Sequence, residues 1–528
     1  MTRHLLPIAG ALLLAGCLTI GPDYARPELP DPDYADVLQG GAPTGPNRGP
    51  VTPEALAHWW DRLEDPLLTS LVEEALEGNR DLRQAQSRVR MARLYVGITS
   101  AGLYPGVDGA ARYRRSRASE NMMASGGGNT LQSAAGTLAT GINVADTLSL
   151  LATNPASGLK RVPGVIASLP GSGGVDLESD FYRAGFDAAW ELDIFGGTRR
   201  GIEAAKADLD AAQEDLNGVW VSLAGSVAEN YILLRTFQAR LRVAETNLEA
   251  QEETHELLAS LYDAGLSDAL AVQQARYVVE STRASIPALR AGVECTMNTL
   301  AVLTGVLPGV LHERLADATP IPASTLKEVT GIPADALRQR PDVRRAERQL
   351  AAQTARIGEA KAELYPRFAL SGSIGLESLR SSTLFDGGSD TWSLVPGVSW
   401  PIFHAGAIRK NVQVQTELQE QYLAAYERTV LTAVKETRDA LTDYAREQER
   451  RDSLAAAAEA AGIALEVAQD KYKQGLSDFN NVLDAQRSVL TFQEQLAISE
   501  GSISANLVRL YKALGGGWEV MQPEVPAE

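Results

Sequence analysis

Asp484 and Arg487 stand three residues apart in a run that reads as helix, so a carboxylate and a guanidinium share one helical face. Two chemistries fit. The pair is an ordinary solvated ion pair. Or, where several copies of the chain gather about one axis, it supplies a ring of carboxylates that narrows a pore, binds cations and is balanced by arginine. Nothing else in the chain suggests catalysis. Ser, His and acidic residues occur without a nucleophile motif. The five histidines, His4, His58, His255, His312 and His404, lack ligand spacing, so no metal site is expected. Gly126-Gly127-Gly128 follows no strand-to-helix phosphate pattern and reads as loop. Cys295, in an Ala- and Leu-containing helical run, reads as buried filler rather than a reactive thiol. The expectation is a chain that is not an enzyme and uses no cofactor.

The remaining reactive residue is Cys17. Arg3 and His4 precede the apolar run Leu5 to Ala15, a secretory-leader pattern too short to span a bilayer as a permanent helix. Leu14-Ala15-Gly16-Cys17 resembles the bacterial lipobox, in which the cysteine becomes an acylated N-terminus; a plain signal peptide with a chance cysteine is the alternative. Residues 1–16 are therefore read as a lipoprotein signal peptide. Residues 17–53, rich in Pro and Gly, are read as a lipidated, extended tether. Leu18 stands where Asp often signals inner-membrane retention in such lipoproteins, which leaves outer-membrane lipid as the expected partner. With Cys17 at the terminus, no internal disulfide is expected. The net charge of -18 argues against nucleic acid, whose phosphates need clustered Lys and Arg.

An internal repeat organises the rest. Leu103-Tyr104-Pro105 recurs as Leu364-Tyr365-Pro366, an offset of 261. Further on the offset is 210: Trp190, Gly196 and Arg199 match Trp400, Gly406 and Arg409, and Gly265-Leu266-Ser267-Asp268 matches Gly475-Leu476-Ser477-Asp478. The chain is divided into a first repeat at 54–304, an equatorial segment at 305–333, a second repeat at 334–514 and a tail at 515–528. Each repeat reads as a helical run, a strand pair, a very long helix, a short turn and a shorter helix. The helical runs are placed at Pro66–Ala101 and Ala334–Glu363. The long helices, Gly197–Leu261 and Ala407–Lys471, are dense in Ala, Leu, Glu, Gln and Arg and lack Pro; each would be roughly 100 Å long. Gly265 and Gly475 are expected as C-caps, with Ser267 and Ser477 capping the helices that return. The returning helices are shorter, so the first half must detour through 305–333, an expected belt.

The strands alternate. Tyr182, Phe186, Trp190, Leu192 and Ile194 share one face of their strand, and Arg183, Asp187, Glu191 and Asp193 the other. Trp392, Leu394, Val398 and Trp400 repeat the pattern. Soluble sheet with one wet face and a membrane barrel wall both fit. Four strands cannot close a barrel alone, and an open edge in lipid leaves backbone groups unpaired, so a barrel requires several copies. The first strand pair carries an insertion at about 119–180, rich in Gly, Ser, Thr and Ala. It is expected as an extended outer loop, with a plug-like or lectin-like role as the alternative and Ala139–Leu151 as a short helix within it.

The lipobox with Gly21-Pro22-Asp23-Tyr24, the run Trp190-Glu191-Leu192-Asp193-Ile194-Phe195-Gly196, Arg340-Pro341-Asp342-Val343-Arg344, and Tyr472-Lys473-Gln474-Gly475 followed by Val482-Leu483-Asp484-Ala485-Gln486-Arg487 cover nearly all of the mature chain. In this order they resemble the TolC-like outer-membrane factor family, in its lipoprotein branch of OprM or NodT type. The resemblance implies a mostly α protein with a transmembrane β-barrel: an internally duplicated, trimeric α-barrel/β-barrel tunnel, four strands per chain and twelve in the barrel, with an equatorial domain. It implies a homotrimer that docks to a periplasmic adaptor and an inner-membrane RND pump and conducts small molecules outward. The outer-membrane duct of a type I protein-secretion system is the alternative, and an adhesive coiled-coil surface lipoprotein is disfavoured by the strand pairs. On the resemblance, Asp484 and Arg487 with Tyr472 form a periplasmic gate, and Gly265-Leu266-Ser267 and Gly475-Leu476-Ser477 form adaptor-facing tips. Gln274 stands at the repeat position of Asp484, Asn481 replaces a second acid, and Ala271 removes an acidic partner of Tyr472.

Overall fold

A computed structural model of the chain describes residues 19–27, 58–117, 178–323 and 338–517. Cys17, most of the insertion with its expected helix, and the end of the tail lie outside these residues. The described elements, after a 3-10 turn at Trp59–Leu63, are α1 (Pro66–Gly78), α2 (Arg80–Ala101), β1 (Gly106–Arg117), β2 (Glu178–Leu192), α3 (Gly197–Asp263), α4 (Ala269–Thr304), α5 (His312–Leu315), α6 (Pro341–Ala362), β3 (Arg367–Ser378), β4 (Asp390–Ser399), α7 (Ala407–Lys473) and α8 (Asn480–Ala513).

The duplication is kept to the residue. A shift of 261 converts the bounds of α2 into those of α6, both 22 residues, and those of β1 into β3, both 12 residues. A shift of 210 converts α3 into α7, both 67 residues. Long-range bonds are duplicated too. The Trp190 indole Nε1 donates to the Leu103 carbonyl at 2.9 Å, and Trp400 Nε1 donates to Leu364 at 3.1 Å. Gly196 and Gly406, ahead of the two long helices, both have positive φ, 78° and 83°.

The chain divides into two compact units. The first comprises Met1–Ala25, Arg93–Ala207 and Ala351–Gln421 and holds the sheet. Its four strands run antiparallel in the order β1-β2-β3-β4. The register sets Phe186 opposite Ile374 and Ile374 opposite Trp392, so one apolar face runs across β2, β3 and β4. That face is bare in the single chain: Phe186 is 61% and Trp392 75% exposed. The other face is polar. Arg183 pairs with Asp187 at 2.6 Å and with Glu377 at 3.5 Å, and the Ser373 and Ser393 hydroxyls meet at 2.7 Å.

β2 stops at Leu192, short of the expected Ile194, because Asp193 turns to cap α3. Its carboxylate accepts from the Thr198 and Arg199 amides at 3.1 and 2.9 Å. The tether segment is tied down in the same unit. Arg200 is buried; it donates to the Ile20 carbonyl at 3.2 Å and to Asp23 at 2.7 Å, while the Ile20 amide donates to Phe195. A Cβ on Gly21 would lie 2.4 Å from the Gly358 Cα, and one on Gly358 would meet the Ile20 carbonyl and the Arg200 side chain at 2.8 Å.

The second unit comprises Arg26–Ala92, Asp208–Leu350 and Tyr422–Glu528. Its core joins Trp59, Trp60, Leu68, Leu71, Tyr231, Leu300, Leu507 and Tyr511. Two helix bounds differ from expectation. The run expected as one helix from Pro66 to Ala101 breaks at buried Asn79, whose backbone is extended. Its side chain accepts from Asp81 and Leu82 amides and donates to the Leu303 carbonyl at 2.9 Å, so it starts α2 and joins it to α4. Of the run expected from Ala334, residues 334–337 lie outside the described residues, Arg338 and Gln339 are helical, and the run breaks at Arg340 before α6 starts at Pro341. Proline lacks the amide a helix interior needs, and the residue before it is pushed out of the helical region. That residue, Arg340, is buried and donates to the Ala513 carbonyl at 2.7 Å and to Glu436 at 2.6 Å.

The segment after α4 is held by α3. Tyr231 donates to Asp65 at 2.6 Å, and buried Arg235 donates to the Tyr231 hydroxyl at 2.9 Å and to the Asp317 carbonyl at 2.6 Å. Burial, then the Asp65 hydrogen bond, pushes the Tyr231 hydroxyl up to about 12.

Candidate functional site: the helix tips and the Asp484–Arg487 pair

The two turns that end α3 and α7 are built alike. Gly265 and Gly475 take φ of 73° and 71°, where only glycine is unstrained. The Leu266 amide donates to the Leu261 carbonyl and the Gly265 amide to Tyr262, at 2.8 and 2.9 Å. Leu476 and Gly475 do the same to Lys471 and Tyr472, both at 2.9 Å. Both are Schellman closures, which absorb helix-end carbonyls that otherwise lack donors. Leu266 and Leu476 are left 76% and 72% exposed.

The returning helices do not start on the expected serines. Asp268 caps α4, accepting from the Ala271 amide at 2.8 Å. A carboxylate at a helix N-terminus also meets the favourable end of the helix dipole, which a hydroxyl does not. Ser267 takes no capping role there. α8 begins two residues past Asp478, and its N-cap, Phe479, makes no side-chain cap bond. Ser477 instead accepts from the Asn481 side chain at 2.8 Å.

The two hairpins share a small core just inside the turns. Leu258, Ala275, Val278, Phe479, Val482 and Leu483 are buried together, with Ala271 and Tyr472 packed on them. The Tyr472 ring meets Phe479 edge-on at 5.2 Å between centroids. Tyr472 therefore sits there through packing, beside the alanine that stands where an acid would offer it a bond.

Asp484 and Arg487 face out of this core. The ion pair measures 3.1 Å, and the Asp484 side chain is 73% exposed. Arg487 has a second partner that sequence reasoning missed. Its Nη2 donates to the Tyr277 hydroxyl, and its guanidinium carbon lies 4.9 Å from the centre of the Tyr277 ring. The missed signal was the repeat itself, since Tyr277 stands 210 residues before Arg487. Buried Gln486 between them donates to Thr254 on α3 at 2.9 Å. The arrangement can hold a carboxylate in solvent, with one guanidinium tying it to the opposite hairpin. Among the described residues no group of His, Cys, Asp and Glu could hold a metal ion, and no helix is long and apolar enough to cross a membrane.

Comparison with known proteins gives a concordant result. The family described as Outer membrane efflux protein matches residues 71–156, 163–306 and 332–516. The chain is 32% identical over 518 residues to the solvent efflux pump outer membrane protein SrpC of Pseudomonas putida, covering 98% of this chain and 99% of that one. It is 31% identical over 520 residues to Nodulation protein T of Rhizobium leguminosarum bv. trifolii, covering 98% of each. Among solved structures it is similar to the outer-membrane channel OprN, with a TM-score of 0.78 and 32% identity over 95% of this chain and 99% of that chain.

Proposed function

The chain belongs to the outer membrane efflux protein family and is an outer-membrane efflux channel, and we propose that it works as a homotrimer. Three copies share one twelve-stranded β-barrel, and their helices form a periplasmic α-barrel. The observation that carries this reading is the sheet. Its apolar face is bare, and among the described residues β1 and β4 each pair on one side only. In lipid such edges leave backbone groups unpaired at several kcal/mol each, so the strands must find partners. The relatives named as efflux-pump proteins do not favour the protein-secretion alternative.

The channel is passive and non-catalytic. It receives small molecules from a periplasmic adaptor and an inner-membrane pump of the RND class. Leu266 and Leu476, exposed at the turns with Gly265, Ser267, Gly475 and Ser477, are the adaptor-facing tips. Asp484, held by Arg487 beside Tyr472, forms the periplasmic gate, where symmetry gathers three carboxylates about the axis. Acylated Cys17 anchors the chain in the outer membrane. Particle mass in detergent tests the assembly: three chains per particle are expected, and a stable single-chain particle would refute it.

A further inference from the structure

The free edges of the sheet do more than demand a partner; the internal repeat says how that partner must sit. The pairing of β1 with β2 and of β3 with β4 is the same pairing written twice. Gly106 lies opposite Ala189 and Arg367 opposite Ser399; shifts of 261 and 210 carry the first pair onto the second. No residue of slip separates the two hairpins. The seam between them, β2 with β3, therefore also has a repeat equivalent. It is β4 of one copy against β1 of the next.

We propose that this intermolecular seam copies the intramolecular one in register, so that Val398 of one chain lies opposite Ala111 of its neighbour. This inference rests on the reading that copies share one barrel. The template pairs Ala188 with Gly372. Shifting Ala188 forward by 210 and Gly372 back by 261 gives Val398 and Ala111. The same operation sets Leu394 opposite Arg115. Faces are conserved: Val398 and Leu394 continue the bare apolar face, on which Ala111 and Arg115 also lie by alternation with Val107, itself 63% exposed. A slip of one residue would turn β1 over and place Arg112 and Arg114 on that face, so only slips of two compete.

The helices beside the sheet support the same operation. α6 covers α3 through small residues: a Cβ on Gly197 would meet that of Ala362 at 3.0 Å, and Ala207 packs with Ala351 and Ala352. The shifts map Gly197 and Ala362 onto Ala407 of one chain and Ala101 of the next. There α2 carries exposed Leu94 and Ile98. The opposing stretch of α7 presents a groove of ≈ 630 Å³ lined by Lys410, Val414, Glu417 and Leu418. By the same shifts Leu94 and Val414 stand where the single chain has Ala355 and Ala204, so larger apolar side chains would fill the seam between copies, which is complementary packing for a second copy of this chain. One position departs from the template. Gly185 and Gly375 approach so closely that a Cβ on either would lie 2.5 or 2.6 Å from the facing carbonyl, and their equivalents are Val395 and Arg114. The seam between copies is therefore less pinched there, and a register test belongs away from it.

The test is paired cysteine substitution in the full chain, with Cys295, which lies exposed and not buried as its helical run suggests, replaced by Ser and Cys17 kept. Directly opposed residues fall within disulfide reach, about 4.4–6.8 Å between Cα atoms, whereas partners two residues away lie at roughly 7–8 Å. Val398→Cys with Ala111→Cys should give disulfide-linked oligomers on mild oxidation. Val398→Cys with Gly109→Cys, or with Tyr113→Cys, should give far less. Particle mass is measured on each variant. If a shifted pair links best while the particle still holds three chains, the proposed register is wrong and the trimer stands. If no pair links and the particle is one chain, the shared barrel itself fails.

Discussion

Arg487 lies over the ring of Tyr277, 4.9 Å from guanidinium carbon to ring centre, and the two residues occupy the same position in the two repeats. Their contact ties α8 of one hairpin to α4 of the other, beside the exposed Asp484 carboxylate. A cation over an exposed aromatic ring contributes about 0.5–1 kcal/mol. If that contact is made only in the closed state, Tyr277→Leu should shift the open-to-closed ratio by roughly two- to five-fold per subunit. Tyr277→Phe, which keeps the ring, should shift it less. Open probability in planar bilayers reads both, and equal behaviour of all three proteins would remove Tyr277 from the gate.

The tip turns make a second prediction. Gly475→Ala forces a Cβ into φ of 71°, at a cost of about 1–2 kcal/mol, although open space surrounds the site. Gly475→Asn should be milder, because asparagine tolerates that region. Hydrogen exchange at the Leu476 amide should accelerate in the alanine variant. Unchanged exchange would mean the closure adds no local stability.

Tyr231 gives the pH dependence. Its pKa rises from 10.0 to about 12 on folding, so the folded state keeps this proton after the unfolded state has lost it. The stabilisation is complete below pH 10 and is lost as pH climbs towards 12, at about 1.4 kcal/mol per unit. Tyr231→Phe should flatten that slope. It should also cost about 1–3 kcal/mol at neutral pH, because Asp65 and Arg235 lose a buried partner. Thermal melts across pH test both, and an unchanged slope would place the titration elsewhere.

Two further tests concern Cys17, which lies outside the described residues, and the two helix tips. A palmitate analogue should label the wild type and not Cys17→Ser; equal labelling of both would defeat the acylation. Photo-crosslinkers at Ser267 or Ser477 should capture the periplasmic adaptor. Capture from sites in 119–180 alone would overturn the placement of the tips.

Much of this was legible in the sequence for one reason: duplication repeats every local signal. The 67-residue helices, the glycine turns and the alternating strands each occur twice, so chance patterns cancel. The helix ends that were misplaced depend on one side chain acting once. Asn79 follows Gly78 in a run otherwise helical in composition, and it has no repeat equivalent of its type, since Arg340 stands there. Asp268 displaced Ser267 because a cap is chosen by backbone direction, which adjacent Ser and Asp leave open. Arg200 on the tether and Arg235 on the α5 segment look like solvated helix arginines until the chain folds over them. Each has a backbone carbonyl among its partners, Ile20 for Arg200 and Asp317 for Arg235, and a carbonyl leaves no trace in residue type.

We propose that the chain conducts across a membrane and that Asp484 narrows the path. Single-channel recording of the purified protein in planar bilayers, wild type beside Asp484→Ala, tests it most directly. The wild type should give discrete conductance steps that divalent cations block. Asp484→Ala should conduct more and be blocked less, while Glu245→Ala, which removes an exposed ion pair to Arg290, should match the wild type. If Asp484→Ala leaves conductance and cation block unchanged, Asp484 is a solvated helix acid and the constriction lies elsewhere; if the assembled protein gives no conductance at all, it is not a channel.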